Sequence, residues 1–475
     1  MWPGLVPSGW LLIVLFVATA PFVNPYIRGD GNGYYAYVRS AVIDGDLRFE
    51  NEYRRGDPAF LASVTYPDGR LASNLVLGNG YVRNQWAVGP SLLWAPFFVL
   101  GHGVATGLNS LGWPVALDGY SAPYRWACAL GTALYGFVGL MLACTLARRF
   151  VGATVAAVAT VGVWFASPLP VYMYFLPFHV PALSGFVVSL FLWYWLKTRG
   201  GRTSSEWGLW GASAGLMVET YYLNAVCLLI AAFELGEEAR FSRARPARAR
   251  AGVAAAGIFG LGLALAVLPH IVVKTIVHGS PFKTGYDDQF FWGSPRLWHA
   301  AFASEHGMFV WTPVLLFATV GLGWLWRTDR SIALRFTLVL VAYYYAVASF
   351  QNWHGQSAFG NRFLVSLTPI FVVGFGGFLA ALAKLPVIER HRRLGYGLVL
   401  GPLILWNVGL VFQWGTGLVP NRGPVDFVVA ARNQVTEVPR AMVGFMARYF
   451  TERGQLTREV EQRDALRVKG YHPQR

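Results

Sequence analysis

Long apolar runs joined by short, arginine-rich connectors constrain the fold of this chain more than any other feature. A helix that crosses the hydrocarbon core of a bilayer needs about 20 predominantly apolar residues. Segments of this kind lie at 8–24, 90–108, 124–147, 151–170, 178–196, 207–234, 252–272, 308–326, 332–350, 363–383 and 396–415. Hydrophobic residues make up 55% of the 475-residue chain and charged residues only 13%, about half the charged share of a typical soluble domain. The sequence therefore predicts an all-α polytopic membrane protein with a bundle of roughly 10–12 transmembrane helices.

The positions of the cations predict how the bundle is oriented. Lys and Arg cluster in the connectors 148–149, 197–202, 240–250, 327–330 and 390–393, and the net charge is +15. Such clusters mark cytoplasmic loops, so we interpret the basic balance as a topology signal rather than as a nucleic-acid surface. If all eleven segments crossed once, the first two clusters would face outside.

All of the basic clusters become cytoplasmic if segment 90–108 is re-entrant, dipping into the outer leaflet, and if 207–234 forms a hairpin broken near Glu219. This arrangement predicts a transmembrane module over 1–415 and a charged extracytoplasmic tail over 416–475. It also predicts a large first extracytoplasmic loop over 24–123, which carries juxtamembrane helices.

The sequence has no signature of a cysteine metal site, a nucleotide-binding site or a zinc protease. The three cysteines lie inside apolar segments without metal-type spacing. Walker, GxGxxG and HExxH motifs do not occur, so we expect no nucleotide cofactor. The first apolar run has neither a basic n-region nor an A-x-A-like cleavage site, and we expect it to be a retained helix.

Asp30 is the first candidate for catalysis. It lies in the stretch RGDGNGYYAY (28–37), directly after the first apolar segment. Asp and Gly are common turn formers, and a structural turn is one interpretation. The other is that a carboxylate at the membrane edge acts as a general base or binds a divalent cation. The following residues, 34–43, predict an interfacial helix that ends near Gly45.

Other polar groups recur in the predicted outer connectors and near the helix break. An arginine fork grips phosphate with geometric specificity, and a neutral imidazole can ligate a metal or move a proton. A carboxylate inside an apolar segment indicates function or a structural hydrogen bond. The candidate substrate-binding residues are Arg83, His179, Lys283, His306, His354, Arg362 and Glu219.

These polar groups gather at one membrane face. A secondary transporter would more often place ionisable groups near the bilayer midplane, where only Glu219 and Arg335 are candidates. Chemistry at the interface on a lipid-held substrate therefore fits better. A transporter or flippase of lipid-linked substrates is the alternative, and a noncatalytic assembly partner is a further one.

Several stretches carry a family resemblance. They are DGNGYYAYVRSAVIDGDLRFENEY (30–53), NQWAVGPSLLWAPFF (84–98), EHGMFVWTPVLL (305–316) and WHGQSAFGNRFLVSLTPIF (353–371). With the acid after the first helix and the basic ARRF connector at 147–150, the chain resembles the GT-C superfamily of integral-membrane glycosyltransferases. It is most similar to bacterial members allied to the protein mannosyltransferase and aminoarabinose transferase families.

The resemblance implies a GT-C-like bundle and an inverting transfer of a hexosyl or pentosyl group from a polyprenyl-phosphate donor to a glycan, lipid or protein. Asp30 stands where the family has the acid that activates the acceptor or helps to bind a metal. Where many relatives carry a second acid followed by proline, this chain has His179-Val-Pro181. Asp30 and His179 are thus the candidate ligands if Mg²⁺ or Mn²⁺ takes part. The implied location is the bacterial inner membrane, with the site facing the periplasm.

Overall fold

The computed structural model describes residues 7–242, 246–286 and 289–470. These residues form helices, short helical turns and loops, and they contain no β-strand beyond isolated bridges. The predicted all-α class is confirmed. Part of the basic connector 240–250 and the pair Asp287-Asp288 fall outside the described residues.

The N-terminal part of the chain builds the first loop on short helices. In chain order its helices are α1 (Pro7–Thr19), α2 (Asp30–Arg39), α3 (Glu50–Arg54), α4 (Pro58–Val64) and α5 (Gly89–Ser110). A π-helical turn, Ser40–Asp44, extends α2, and Gly45 ends it with a φ of 72°. The predicted helix over 34–43 and its end near Gly45 are therefore confirmed.

The remaining helices form the bundle and the tail. They are α6 (Ala122–Ala147), α7 (Ala153–Phe165), α8 (Pro181–Thr198), α9 (Ser204–Thr220), α10 (Leu229–Ser242), α11 (Pro246–His278), α12 (Leu297–Phe302), α13 (Met308–Trp311), α14 (Pro313–Thr328), α15 (Arg330–Ser349), α16 (Thr368–Leu382), α17 (Pro386–Glu389), α18 (Arg392–Thr416), α19 (Phe427–Val435), α20 (Glu437–Thr451) and α21 (Arg453–Gly470).

Six helical segments within the described residues are long and apolar enough to cross a membrane, so the chain is a multi-pass membrane protein. They are Gly89–Ser110, Ala122–Ala147, Ala251–His278, Arg330–Ser349, Arg362–Leu382 and Arg392–Thr416. Shorter apolar helices occupy 9–22 and 153–165. Small residues bring neighbouring helices together, as where the carbonyl oxygen of Gly374 on α16 occupies the space that a Cβ of Gly321 on α14 would need.

The basic connectors lie at the end of the bundle opposite Asp30. Arg202 Nη1 contacts Glu234 Oε1 at 2.9 Å, and Arg335 Nη2 contacts Glu237 Oε1 at 2.6 Å. These contacts join the start of α9 and the start of α15 to α10. Helix α8 runs from beside His179 to this basic end, and α16 leads there from Arg362.

The segment 204–242 has the geometry of a hairpin. Helix α9 ends at Thr220, directly after Glu219, and a 3-10 helix, Tyr222–Leu228, turns the chain into α10. The start of α9 and the glutamates of α10 meet at the basic end, while the turn lies at the Asp30 end. The predicted break near Glu219 is confirmed.

Helix α5 is one continuous helix that runs antiparallel to the first half of α6. Trp94 Nε1 donates to Thr132 Oγ1 at 2.8 Å, and His102 Nδ1 lies 2.7 Å from the Tyr124 hydroxyl. Its first residue, Gly89, packs against the backbone of Thr220 at the hairpin turn. Helix α5 is also one of the segments long and apolar enough to cross a membrane. That it is re-entrant stays a prediction.

The tail folds back onto the first loop. Tyr449 on α20 donates its hydroxyl to Phe22 O at 2.7 Å, and Arg453 donates to Val23 O at 2.7 Å. Asp464 on α21 pairs with Arg28 at 2.9 Å, two residues from Asp30. The described part of the tail is therefore mainly helical and lies at the Asp30 end.

Candidate active site

Asp30 is the first residue of α2, and tight packing holds it there. Gly29 before it has a φ of 52°, which a side chain would disfavour. A Cβ on Gly31 would lie 2.8 Å from the Phe178 Cβ, and one on Gly33 would overlap the Trp86 ring. The glycines thus serve close packing rather than the flexible turn that the sequence suggests. The helix N-terminus also stabilises the carboxylate.

Asp57 positions the loop that carries Asp30. One of its carboxylate oxygens, Oδ1, accepts from the Gly29 amide at 2.7 Å and from Asn32 Nδ2 at 2.8 Å. The other, Oδ2, accepts from backbone amides at the start of α4. A single N-cap carboxylate therefore fixes the first turn of α2 to the first turn of α4.

Three of the predicted residues meet at one point. Arg362 Nη1 contacts Asp30 Oδ2 at 2.6 Å and His179 Nδ1 at 3.4 Å. His179 Nε2 lies 3.1 Å from Arg28 O. A guanidinium and a carbonyl on opposite sides define a neutral imidazole that donates from Nε2 and accepts at Nδ1.

The charges of this cluster follow from its environment. Burial raises the pKa of Asp30, but the Arg362 guanidinium, helped by His179 and a hydrogen bond from Trp86, holds it below its ordinary value of 3.8. Burial lowers the pKa of His179 to about 4, against the opposing effect of Asp30. At neutral pH the cluster is an ionised Asp30, a charged Arg362 and a neutral His179.

The cluster forms the polar end of a cavity of about 810 Å³, which we call the Asp30 cavity. Its polar lining comes mainly from Gln85, Gln289, Asn352, Gln356 and the hydroxyls of Tyr34, Tyr221 and Tyr286. Its apolar lining comes mainly from the 3-10 turn and the end of α15: Leu223, Ala225, Val226, Ala346, Val347 and Phe350. One compartment therefore joins charged groups to an apolar groove at the membrane edge.

Lys274 supports the floor of the site from α11. Its ammonium is buried and donates to Tyr37 Oη at 3.1 Å, Asn84 O at 2.7 Å and Trp86 O at 3.0 Å. Trp86 in turn packs against Gly33 in the first turn of α2. A lysine in this position anchors the loop before α5 and through it the indole that packs beside Asp30.

Two predicted cations lie beside the Asp30 cavity rather than in its lining. Arg83 Nη2 donates to Gly285 O at 2.6 Å and so ties the loop before α5 to the loop after α11. Lys283 is exposed and directly precedes Thr284, which lines the cavity.

Three other predicted residues lie outside the lining of the Asp30 cavity. His306 is fully buried, with Nδ1 2.5 Å from His354 O and its ring against Trp311. His354 Nδ1 lies 3.5 Å from Glu305 Oε1 and accepts from the Gln356 amide. Glu219 is 1% exposed behind the hairpin turn. The structure thus does not bring these three to the cavity, because neighbouring segments cover them.

The sequence interpretation missed the tyrosines and the anchors of the site. Tyr221 and Tyr222 directly follow the helix break near Glu219. The break was predictable from the sequence, and it could have indicated these two tyrosines. Lys274 is an isolated cation at the end of an apolar run, the pattern that marks functional groups in membrane helices. Asp57-Pro58 is a recognisable helix start, but only the fold shows that Asp57 reaches Gly29.

The donor set does not fit a divalent cation. Among residues 7–242, 246–286 and 289–470, no group of three or more His, Cys, Asp or Glu side chains could hold a metal ion. Both ring nitrogens of His179 are engaged, and the Asp30 carboxylate faces a guanidinium. We therefore derive no step through a metal.

No protein-family model matches the chain, and a comparison with curated proteins finds no match. Solved structures show a similar arrangement over most of its length. Apo ArnT from Cupriavidus metallidurans has a TM-score of 0.49 at 13% identity, covering 89% of this chain and 74% of that one. ArnT bound to undecaprenyl phosphate has a TM-score of 0.42 at 15% identity, over 90% and 74%.

A third similar structure is the archaeal oligosaccharyltransferase AglB from Archaeoglobus fulgidus, in complex with an inhibitory peptide and a dolichol-phosphate. Its TM-score is 0.43 at 11% identity, over 92% of this chain and 55% of that one. Because all three TM-scores are below 0.5, the proposed function rests on the residues of the site.

Proposed function

We propose that this chain is a GT-C-type membrane glycosyltransferase. In this proposal it moves a sugar from a polyprenyl-phosphate-linked donor to an acceptor hydroxyl at the extracytoplasmic face. The observation that supports it most is the Asp30–Arg362 pair in the lining of a cavity that also has polar amides and an apolar groove. A lipid-borne sugar has the same division between a polar head and an apolar tail.

The cavity suggests how the donor binds. The polyprenyl chain lies along the groove formed by Leu223, Val226 and Val347, and its phosphate approaches Arg362. The volume of about 810 Å³ lies within the usual range for small-molecule sites, and the amides around it can hydrogen-bond sugar hydroxyls. The tyrosines offer rigid faces and hydroxyl donors for the same ring.

The reaction is a single displacement with inversion. The acceptor oxygen forms a bond to the anomeric carbon as the bond from that carbon to the phosphate oxygen breaks. Asp30 accepts the hydroxyl proton, and polyprenyl phosphate leaves with its negative charge. Arg362 is placed to stabilise that charge, and it exchanges its contact with Asp30 for one with the phosphate as the carboxylate becomes neutral.

The orientation follows from the charges. The arginine connectors occupy the end of the bundle opposite Asp30, and such clusters remain on the cytoplasmic side. The Asp30 cavity then faces outward, and in a bacterium this is the periplasmic side of the inner membrane. An acceptor glycan, lipid or protein reaches it there.

Release of polyprenyl phosphate tests the proposal without knowledge of the acceptor. Purified protein is incubated with a panel of polyprenyl-phosphate hexoses and pentoses and with extracted envelope, and free polyprenyl phosphate is quantified. We expect release from at least one donor with the wild-type chain and a loss of about 10²–10⁴-fold with Asp30→Asn. Asp68→Asn, in an exposed ion pair with Arg70, is the control. Equal release by Asp30→Asn and the wild type would refute the proposal.

A further inference from the structure

A second cavity lies between the tail and the bundle, and we call it the tail cavity. It has a volume of about 380 Å³. Its walls come from the end of α1, the turn before α8, the last three turns of α18, and helices α20 and α21. Arg28, which pairs with Asp464 on α21, is part of its lining, and the two cavities share no lining residue.

The wall on α20 is built by one apolar stripe. Met442, Phe445, Met446 and Tyr449 follow the spacing i, i+3, i+4, i+7 and all line the tail cavity. Val443 lies between them on the outer face and is 78% exposed. Two methionines in such a wall adapt to a flexible hydrocarbon chain.

The helices on either side of the tail cavity present apolar surface outward. On α1, Val14 and Val17 are 61% and 64% exposed, and on α18 Leu405 is 72% exposed. Because a polytopic membrane protein covers such surface with lipid, the cavity lies where acyl chains are the surrounding medium.

We propose that the tail cavity binds an acyl chain of a membrane lipid. The chain fills the space along Met442, Met446 and Phe412. Since the tail cavity is separate from the Asp30 cavity, this site does not depend on the transferase proposal.

The test is occupancy, measured by native mass spectrometry of protein purified in mild detergent. We expect about tenfold less bound lipid with Met446→Trp, which fills the tail cavity. Val443→Trp, the same substitution on the exposed face of α20, should retain the lipid, and so should Asp30→Asn. Wild-type occupancy in a folded Met446→Trp variant would overturn the proposal.

Discussion

Arg362 Nη1 lies 2.6 Å from Asp30 Oδ2, so the guanidinium at the start of one spanning segment forms an ion pair with the carboxylate at the start of α2. His179 contacts the same guanidinium nitrogen from a third segment. The contact keeps Asp30 ionised. In the proposed reaction Arg362 would then have two roles, one in the resting pair with Asp30 and one in stabilising the leaving phosphate.

We expect polyprenyl phosphate release to require the guanidinium geometry of Arg362 as well as its charge. Arg362→Lys retains the positive charge but replaces the planar guanidinium and its five donors with an ammonium, which leaves fewer donors for the phosphate beside the contact with Asp30. We expect a loss of about 10–100-fold in polyprenyl phosphate release, with a higher KM for the donor. Arg54→Lys, in an exposed pair with Glu50, is the matched control and should keep wild-type kinetics. Full activity of Arg362→Lys would show that a point charge is sufficient.

The pH profile should report the Asp30–Arg362 contact. Because the pKa of Asp30 is held below 3.8, the wild-type carboxylate stays ionised as the pH falls to about that value. In Arg362→Gln the effect of burial is no longer offset, so the pKa of Asp30 rises and the residual activity should fall at a higher pH than in the wild type. Arg362→Lys should keep the wild-type acid limb. Coincident acid limbs in Arg362→Gln and wild type would contradict the assignment.

Asp57 should act on catalysis by positioning rather than by contact. Asp57→Ala removes the acceptor of the Gly29 amide and the cap of α4, and we expect a loss of about 1–2 kcal/mol in stability. Transfer should fall mainly through kcat, because the loop that bears Asp30 loses its anchor. Asp57→Asn retains an acceptor oxygen, so it should recover part of the stability and part of the kcat that Asp57→Ala loses. A stability loss without any change in kcat would leave Asp57 a purely structural cap.

Divalent cations should not be required. The Asp30 carboxylate faces a guanidinium, and both nitrogens of its neighbouring imidazole are engaged. We expect the rate of polyprenyl phosphate release to be unchanged by EDTA and by added Mg²⁺ or Mn²⁺. A loss with EDTA that either ion restores would show that a metal displaces Arg362 in the working enzyme.

Much of the architecture was predictable from periodicity and charge. The apolar segments became helices, and the described contacts of Arg202 and Arg335 bring two of the basic regions together at one end of the bundle. The interfacial helix after Asp30 and its end at Gly45 follow from local sequence preferences, which act within a few residues.

The site was predictable only in part. Asp30, His179 and Arg362 stand out as polar groups in outer connectors, but their meeting depends on the packing of three distant segments. His306 and His354 have the same local appearance and instead bind neighbouring backbone and carboxylate groups. Sequence alone does not separate these cases, because burial by another segment decides them.

Identification of the lipids that co-purify with the protein tests the central claim most directly. Mass spectrometry of the wild-type chain in mild detergent should find polyprenyl phosphate, bare or carrying a sugar, and Asp30→Asn should retain it. Ala225→Trp, which narrows the apolar groove of the Asp30 cavity, should lose it, whereas Val341→Trp on the exposed face of α15 should not. Bulk phospholipid alone in the wild type, or undiminished polyprenyl phosphate in Ala225→Trp, would contradict a lipid-linked donor in this cavity.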